Sequence, residues 1–444
     1  MNLTEMPWVA AAPSHWRRGR LKDMISSSAN GVWGNDALGD GTDVFCVRAA
    51  DFDRTRQRVS KERLPLRSID SKALSQHMLR PGDLILEKSG GGEKQPVGMA
   101  VIFDLSEPAV CSNFCSRLTP AHTIEPRFLS YSLAAAYSQG LTQSAIKQTT
   151  GIQNLDAGVL FSSPWAYPEI EEQRRIADFL DVETSRIDRL IERRSRQLSL
   201  LAETEISRAY AAIRGESVEG PRQFSGLQWL GDIPSAWRVA AVSHLFEVEL
   251  GKMLNQERVR GTHLRPYLRC ANVQWDEIAL DDLLLMDFST EEQPRYRLRK
   301  GDLLVCEGGS WPGRAAIWQG ELEEIYYQKA LHRLRSRGRD LERWLFYCLL
   351  VAEKMSVFAV QGNSSTITHL TREQLKAQRF PFPEPSEQAK IVRELDAAKQ
   401  ADSILGNKLR TQSAVLHERR RALIAAAVTG QIDIYTVSGR GIED

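Results

Sequence analysis

The strongest constraint on this chain is that it repeats itself. Pro13-Ser14-His15-Trp16-Arg17 recurs as Pro234-Ser235-Ala236-Trp237-Arg238, an offset of 221 residues. Leu79-Arg80-Pro81-Gly82-Asp83-Leu84 recurs as Leu298-Arg299-Lys300-Gly301-Asp302-Leu303, an offset of 219. From Ile152 the offset settles at 215 and runs without a gap. Over Ile152–Asp181, ten of thirty positions match Ile367–Asp396, where about two would match by chance at ordinary residue frequencies. Such a chain must fold as two units of one kind, because each copy carries the signals for its own core. Its 444 residues leave room for both.

Each copy has two parts. The first, about 150 residues in the usual size range of a domain, is mixed. Apolar runs behind Gly-Asp turns ("GDLILEK", "GDLLVCE") predict buried strands. A glycine-rich loop follows each, then a second short run ("GMAVIF", "RAAIW") that suggests a hairpin, then a helical stretch. The second part begins behind a proline-punctuated boundary and continues without proline, Ile170 to Arg214 and Ser386 to Thr429. These runs are rich in Ala, Glu, Arg, Leu and Gln, all good helix formers. Gly215 and Gly430 stand where a left-handed C-cap belongs. Leu405, Leu409, Gln412, Leu416, Arg419 and Leu423 alternate by four and three, as do Ile187, Leu190 or Ile191, Arg194, Leu198 and Leu201. That rhythm predicts a coiled-coil seam with polar interruptions. The expected fold is α+β: two mixed α/β domains in tandem, separated and closed by two long helices paired antiparallel, with an internal pseudo-two-fold. The expected boundaries are 1–168 and 227–383 for the domains, 169–215 and 384–435 for the helices, 216–226 for the linker and 436–444 for a tail.

Composition narrows the function classes. Lys and Arg total 58 against 57 Asp and Glu, so net charge announces no partner and local clusters carry the information. The longest apolar run, Trp344 to Ala352, is nine residues, against about twenty for a membrane span. The six cysteines include no CxxC pair, which predicts reduced, mostly buried thiols and a cytoplasmic setting. No Walker A sequence, His-Glu-x-x-His, Gly-rich cofactor fingerprint or nuclease-type carboxylate pair is present. The loop "CEGGSWPGR" fails the nucleophile-elbow pattern because Pro312 stands where its last glycine should be. The expectation is a chain that binds while something else reacts.

These features resemble the specificity subunit, HsdS, of type I restriction–modification systems, over nearly the whole chain. That family carries Trp-Leu-Gly-x-Ile-Pro-x-x-Trp at the start of a recognition domain, here Trp229 to Trp237. A proline-rich boundary then leads to Glu-Gln-x-x-Ile, here Glu172-Gln173/Ile176 and Glu387-Gln388/Ile391, and Val-Thr-Gly-x-Ile-Asp stands near the end, here Val428 to Asp433. The boundary departs from the family's Pro-Pro-Leu, reading Tyr167-Pro168-Glu169-Ile170 and Phe382-Pro383-Glu384-Pro385, a loop variation. The resemblance implies target-recognition domains that read a bipartite, asymmetric target in double-stranded DNA, one half-site each, with the helix pair setting the gap. It implies two modification subunits (HsdM) as partners, using S-adenosylmethionine to methylate adenine. A restriction subunit (HsdR) using ATP and Mg2+ is a further implied partner. No cofactor, metal or catalytic residue is expected on this chain, and no membrane partner. A coiled-coil scaffold that assembles partners without reading bases is the competing class.

Base readout needs side chains that fork onto base edges, with Ser and Thr as adaptable partners. Two loops per copy offer them. The glycine loop supplies Lys88, Ser89, Lys94 and Gln95, and in the second copy Ser310, Trp311 and Arg314. The loop around Ile-x-x-Leu supplies Lys147, Gln148, Thr149, Thr150, Gln153 and Asn154, against Asn363, Ser364, Ser365, Thr366, Thr368 and His369. Basic runs (Arg54 to Arg67, Arg295 to Lys300, Arg333 to Arg339) are candidates for phosphate contact. Trp16 and Trp237, equivalent in the two copies, are expected to be packing anchors.

Overall fold

Both Gly-Asp turns launch the central strand of a sheet. Asp83 and Asp302 accept the backbone N–H of Arg80 (2.8 Å) and Arg299 (2.7 Å), and the runs behind them form the buried strands Leu84–Glu87 and Leu303–Cys306. The structure, a computed structural model, describes residues 7–149, 151–253, 261–308, 312–360 and 369–434. It divides into two units, Met1–Ser195 with Thr411–Asp444, and Arg196–Arg410. Each long helix contributes one part to each unit.

In the first unit, Leu84–Glu87 lies antiparallel between Cys115–Pro120 and Ala100–Ile102, with Ile25–Asn30 beyond Cys115–Pro120. The second unit repeats this order: Leu303–Cys306 between Leu331–Ser336 and Ala315–Ile317, with Phe246–Leu250 outermost. The first sheet is extended by Arg58–Val59 and Phe52–Asp53. Helices Pro126–Ser138 and Glu342–Lys354 complete the cores. The nine-residue apolar run lies within the second of these and is buried throughout. Among the described residues no helix is long and apolar enough to cross a membrane, and five of the six thiols are buried, Cys270 partly so.

Each domain's beginning pairs with its end. Arg17–Arg20 runs antiparallel to Pro164–Tyr167, and Arg238–Ala241 to Arg379–Phe382. The long helices start just beyond, Ile170–Ile213 and Pro385–Val428, 44 residues each and so roughly 66 Å long.

The repeated polar residues lock helix to domain. Trp16 and Trp237 are both buried, and their indole N–H groups donate to Glu172 (3.0 Å) and Glu387 (3.2 Å). Gln173 and Gln388 accept the backbone N–H of Glu125 and Leu341, both at 2.9 Å, and donate to the carbonyls of Pro168 and Pro383. Tyr131 and Tyr347 donate to Asp181 (2.7 Å) and Asp396 (2.6 Å). A buried side-chain amide or carboxylate must find such partners, because leaving it unpaired costs about 1–3 kcal/mol. The ends of the long helices complete the lock. Gly430 lies against Pro13 and Trp16 in the first unit, and Gly215 against Pro234 and Trp237 in the second. Both glycines have positive φ, 72° and 62°, as left-handed caps require. Each domain thus grips the start of one long helix and the end of the other.

Within each unit the two helix segments lie side by side and antiparallel. In the first, Arg420 pairs with Asp188 at 2.8 Å, and Ile424, Ala427 and Val428 share a core with Ile176 and Leu180. In the second, Leu198 lies over Gly406 and Lys399 pairs with Glu205 at 3.2 Å. Every other position in the seam of the second helix lies one residue beyond the expected one. Leu405, Gln412 and Arg419 are exposed, while Gly406 and Arg420 are buried and Ser413 partly so. Leu409, Leu416 and Leu423 keep their expected side. The reason is physical: Leu198 covers Gly406, and the buried arginine is neutralised by Asp188, so neither position needs an apolar side chain.

Candidate nucleic-acid interface

The two loop regions of each copy meet in space. In the first unit, the segment around Ile152 is a hairpin where a loop was expected, Ile146–Thr149 pairing antiparallel with Ile152–Leu155. The polar residues hid a period of two: Gln153 and Leu155 are buried, Ile152 and Asn154 exposed, the alternation of a one-sided strand. The glycine loop adds a third strand, Ser89 opposite Asn154 and Gly90 opposite Gln153.

This small sheet presents Lys147, Gln148 and Asn154 to solvent, with Lys94 and Gln95 exposed on the neighbouring glycine loop. Ser89 donates to Asn154 at 2.6 Å, and the Lys88 ammonium to the Asn30 side chain at 2.8 Å. Lys147 pairs with Asp156 at 2.6 Å, and this hydrogen bond holds the Asp156 carboxyl below its usual range. Gln153 points inward. It is buried, and its amide oxygen accepts the Val97 N–H at 3.2 Å, which closes the base of the glycine loop. Thr149 ends its strand opposite Ile152. Thr150, Ser310, Trp311, Asn363, Ser364, Ser365, Thr366 and Thr368 lie outside the described residues.

The second unit makes the same junction. The Leu155 N–H donates to the Lys88 carbonyl at 2.8 Å, and the Leu370 N–H to the Glu307 carbonyl at 2.6 Å. His369, exposed, sits against Gly308 so closely that a Cβ there would strike its ring. Beneath, buried His332 donates from Nε2 to the Leu370 carbonyl at 2.9 Å, and burial holds its pKa down. Arg314 is turned inward, donating to Gln274 (3.0 Å) and the Cys270 carbonyl (2.8 Å). It braces the turn at Cys270.

The basic runs are largely matched from within. Arg58 pairs with Asp104 (2.7 Å), Lys61 with Glu107 (3.0 Å), Arg67 with Asp36 (2.5 Å), Arg295 with Glu249 and Arg335 with Asp302 (2.5 Å). A recess of about 610 Å³ beside the glycine loop is different. Arg54, Lys94, His417, Arg420 and Arg421 line it. Glu87 and Asp188 offset Arg54 and Arg420, while Lys94 and Arg421 make no ion pair among the described residues. Counter-charges that far short leave a cationic hollow, the electrostatics an anionic polymer seeks. His417 was missed because it stands some 300 residues from the glycine loop in sequence.

The family profile described as the type I restriction modification DNA specificity domain matches residues 70–200 and again 234–411, well over half the chain. The chain belongs to this specificity-domain family. The EcoKI type I restriction enzyme specificity subunit of Escherichia coli K12 is 21% identical over 376 residues, 80% of this chain and 75% of that one. A Methanocaldococcus jannaschii chain assigned as the MjaX type I restriction enzyme specificity subunit is 24% identical over 205 residues, so this chain spans about half, 47%, of that relative's length. In fold, the specificity-family chain is similar to a solved chain from work on complex assembly and conformational transition of the type I R-M system. The TM-score is 0.67 at 20% identity, covering 95% of this chain and 99% of that one. The HsdS subunit from Thermoanaerobacter tengcongensis gives a TM-score of 0.52 at 18% identity, covering 97% and 100%.

Proposed function

We propose that this chain is the DNA-reading specificity subunit of a type I restriction–modification complex. Each recognition domain, over residues 1–168 and 227–383, reads one short word of an asymmetric, bipartite duplex target. The long helices fix an unread gap between the words. Half-sites read from one face of DNA lie about 34–36 Å apart, or a multiple of that, and a helix of 44 residues is long enough to serve as the spacer. The chemistry belongs to partners: two HsdM subunits carrying S-adenosylmethionine for adenine methylation, and an HsdR subunit using ATP and Mg2+ where cleavage accompanies the complex.

One observation supports this reading above the rest. A hydrogen bond at equivalent positions joins the glycine loop to the Ile-x-x-Leu segment in both copies, while the polar positions around that junction differ, Lys88, Ser89 and Asn154 standing against Glu307, Gly308 and His369. A constant support beneath variable polar groups is what two different words require, since base edges are told apart by donor and acceptor pattern. Lys88, Ser89, Lys94, Gln95, Lys147, Gln148 and Asn154 are the proposed readers in the first domain, and His369 in the second. Exchanging Lys147–Asn154 for the equivalent hairpin of another specificity subunit, in cells holding the partner subunits, should change one word of the methylated sequence. If the methylated sequence stays the same, the hairpin reads nothing, and the chain is a scaffold.

A further inference from the structure

A second recess, of about 520 Å³, lies on the other flank of the glycine loop. Ser89, Gly90 and Gly91 form one wall, and the Ser112-Asn113-Phe114 turn the opposite one. The turn is pinned to the loop, because the Phe114 carbonyl accepts the N–H groups of Lys88 (3.0 Å) and Ser89 (3.2 Å). Two aromatic rings stand at this recess and are exposed to solvent, Phe114 at 51% and Trp33 at 37%. The Trp33 ring is braced by the Arg67 guanidinium 4.5 Å from its centroid. The floor holds Glu87, only 4% exposed. Its Oε2 is held by Arg54 at 2.8 Å, while Oε1 accepts no hydrogen bond among the described residues. Burial pushes this carboxyl above its usual range, with Arg54 opposing. Two exposed rings thus stand beside a carboxylate that keeps one oxygen free to accept a hydrogen bond.

Because the chain reads DNA on the proposal above, the occupant should be a part of DNA. We propose that this recess receives a single base turned out of the duplex, stacked against Phe114 and Trp33, with its exocyclic amino group donating to Glu87. An edge displayed in a groove stays level with the duplex and does not reach a carboxylate on the floor of a recess, whereas a rotated base does. Ionised carboxylates accept from exocyclic amino groups, which cytosine, adenine and guanine carry and thymine lacks. The open space over Gly90, where an added Cβ would meet nothing within 4 Å, leaves the wall clear for a planar ring. Phe114, Trp33 and Glu87 are then specificity-determining residues of the first domain, beside the exposed polar ones.

The test uses the chain assembled with its modification partners and duplexes carrying the first domain's word. Each base pair in turn is replaced by a mismatch that keeps the amino-bearing base. An unpaired base costs less to extrude, so one position should bind roughly tenfold tighter as a mismatch than as a pair, the part of the extrusion cost that the lost pairing removes. Phe114→Ala and Trp33→Leu, at exposed positions whose Tm is checked alongside, should bind both duplexes alike. Thymine at that position should also remove the gain. Sequence-selective binding with no mismatch favoured, or a gain that survives both substitutions, would overturn the proposal. Loss of all sequence preference in the unaltered complex would overturn the DNA reading as well.

Discussion

Gly430 shows how much one residue can hold. An added Cβ would lie 2.2 Å from the Pro13 Cδ, and φ is 72°, so alanine there is both strained and blocked. Gly430→Ala should lower unfolding free energy by about 2 kcal/mol or more, read as a fall in the urea midpoint at unchanged m-value. Gly215→Ala should do the same through Pro234. A loss of a few tenths of a kcal/mol at both would mean the helix ends are not clamped. At this scale the sequence was informative wherever a residue repeats: both cap glycines, both tryptophans and both Glu-Gln pairs could be picked out before their contacts were visible. It pointed the wrong way for Arg314 and Gln153, whose types suit DNA but whose partners, the Cys270 carbonyl and the Val97 N–H, lie in distant segments.

Elements meet through a few charged residues. In the second unit Arg343, on the helix Glu342–Lys354, donates to Asp276 (2.8 Å from Nη2) and to Asp396 on the long helix (2.6 Å), while Lys399 pairs with Asp276 at 2.8 Å. Burial would raise the Asp276 pKa, but the hydrogen bonds and charges of Arg343 and Lys399 outweigh it, and the carboxyl is held below its usual range. A carboxylate with a lowered folded-state pKa binds fewer protons folded than unfolded. Its contribution is therefore full above the ordinary value, near pH 4, and is lost as pH falls through the folded value. Asp276→Asn should cost about 2 kcal/mol at neutral pH and leave a shallower acid limb in stability measured from pH 5 to pH 2. Asparagine tolerates the positive φ of 60° at this position, so backbone strain does not enter. An acid limb identical to that of the unaltered chain would show that Asp276 carries no such linkage. The helices themselves were legible from composition and period. The seam's register was not, because apolarity alone selects Leu405 over Gly406 and gives no weight to an arginine that a carboxylate neutralises.

At the scale of the whole molecule, the duplication was the most legible feature, and it carried the expected fold to the family. The recess between the glycine loop and the Ser112–Phe114 turn was hidden, because it is built from four segments between Trp33 and Phe114 that only the sheet brings together. On the proposed function, each domain reads its own word independently, on a spacing set by the helices. Replacing residues 7–168 by the equivalent domain of a specificity subunit with a different target, then mapping methylated adenines across the genome of cells carrying the partner subunits, tests this most directly. The expected result is a hybrid sequence: one word exchanged, the other word and the gap between them retained. Methylation at the original sequence, or a change in both words at once, would contradict it.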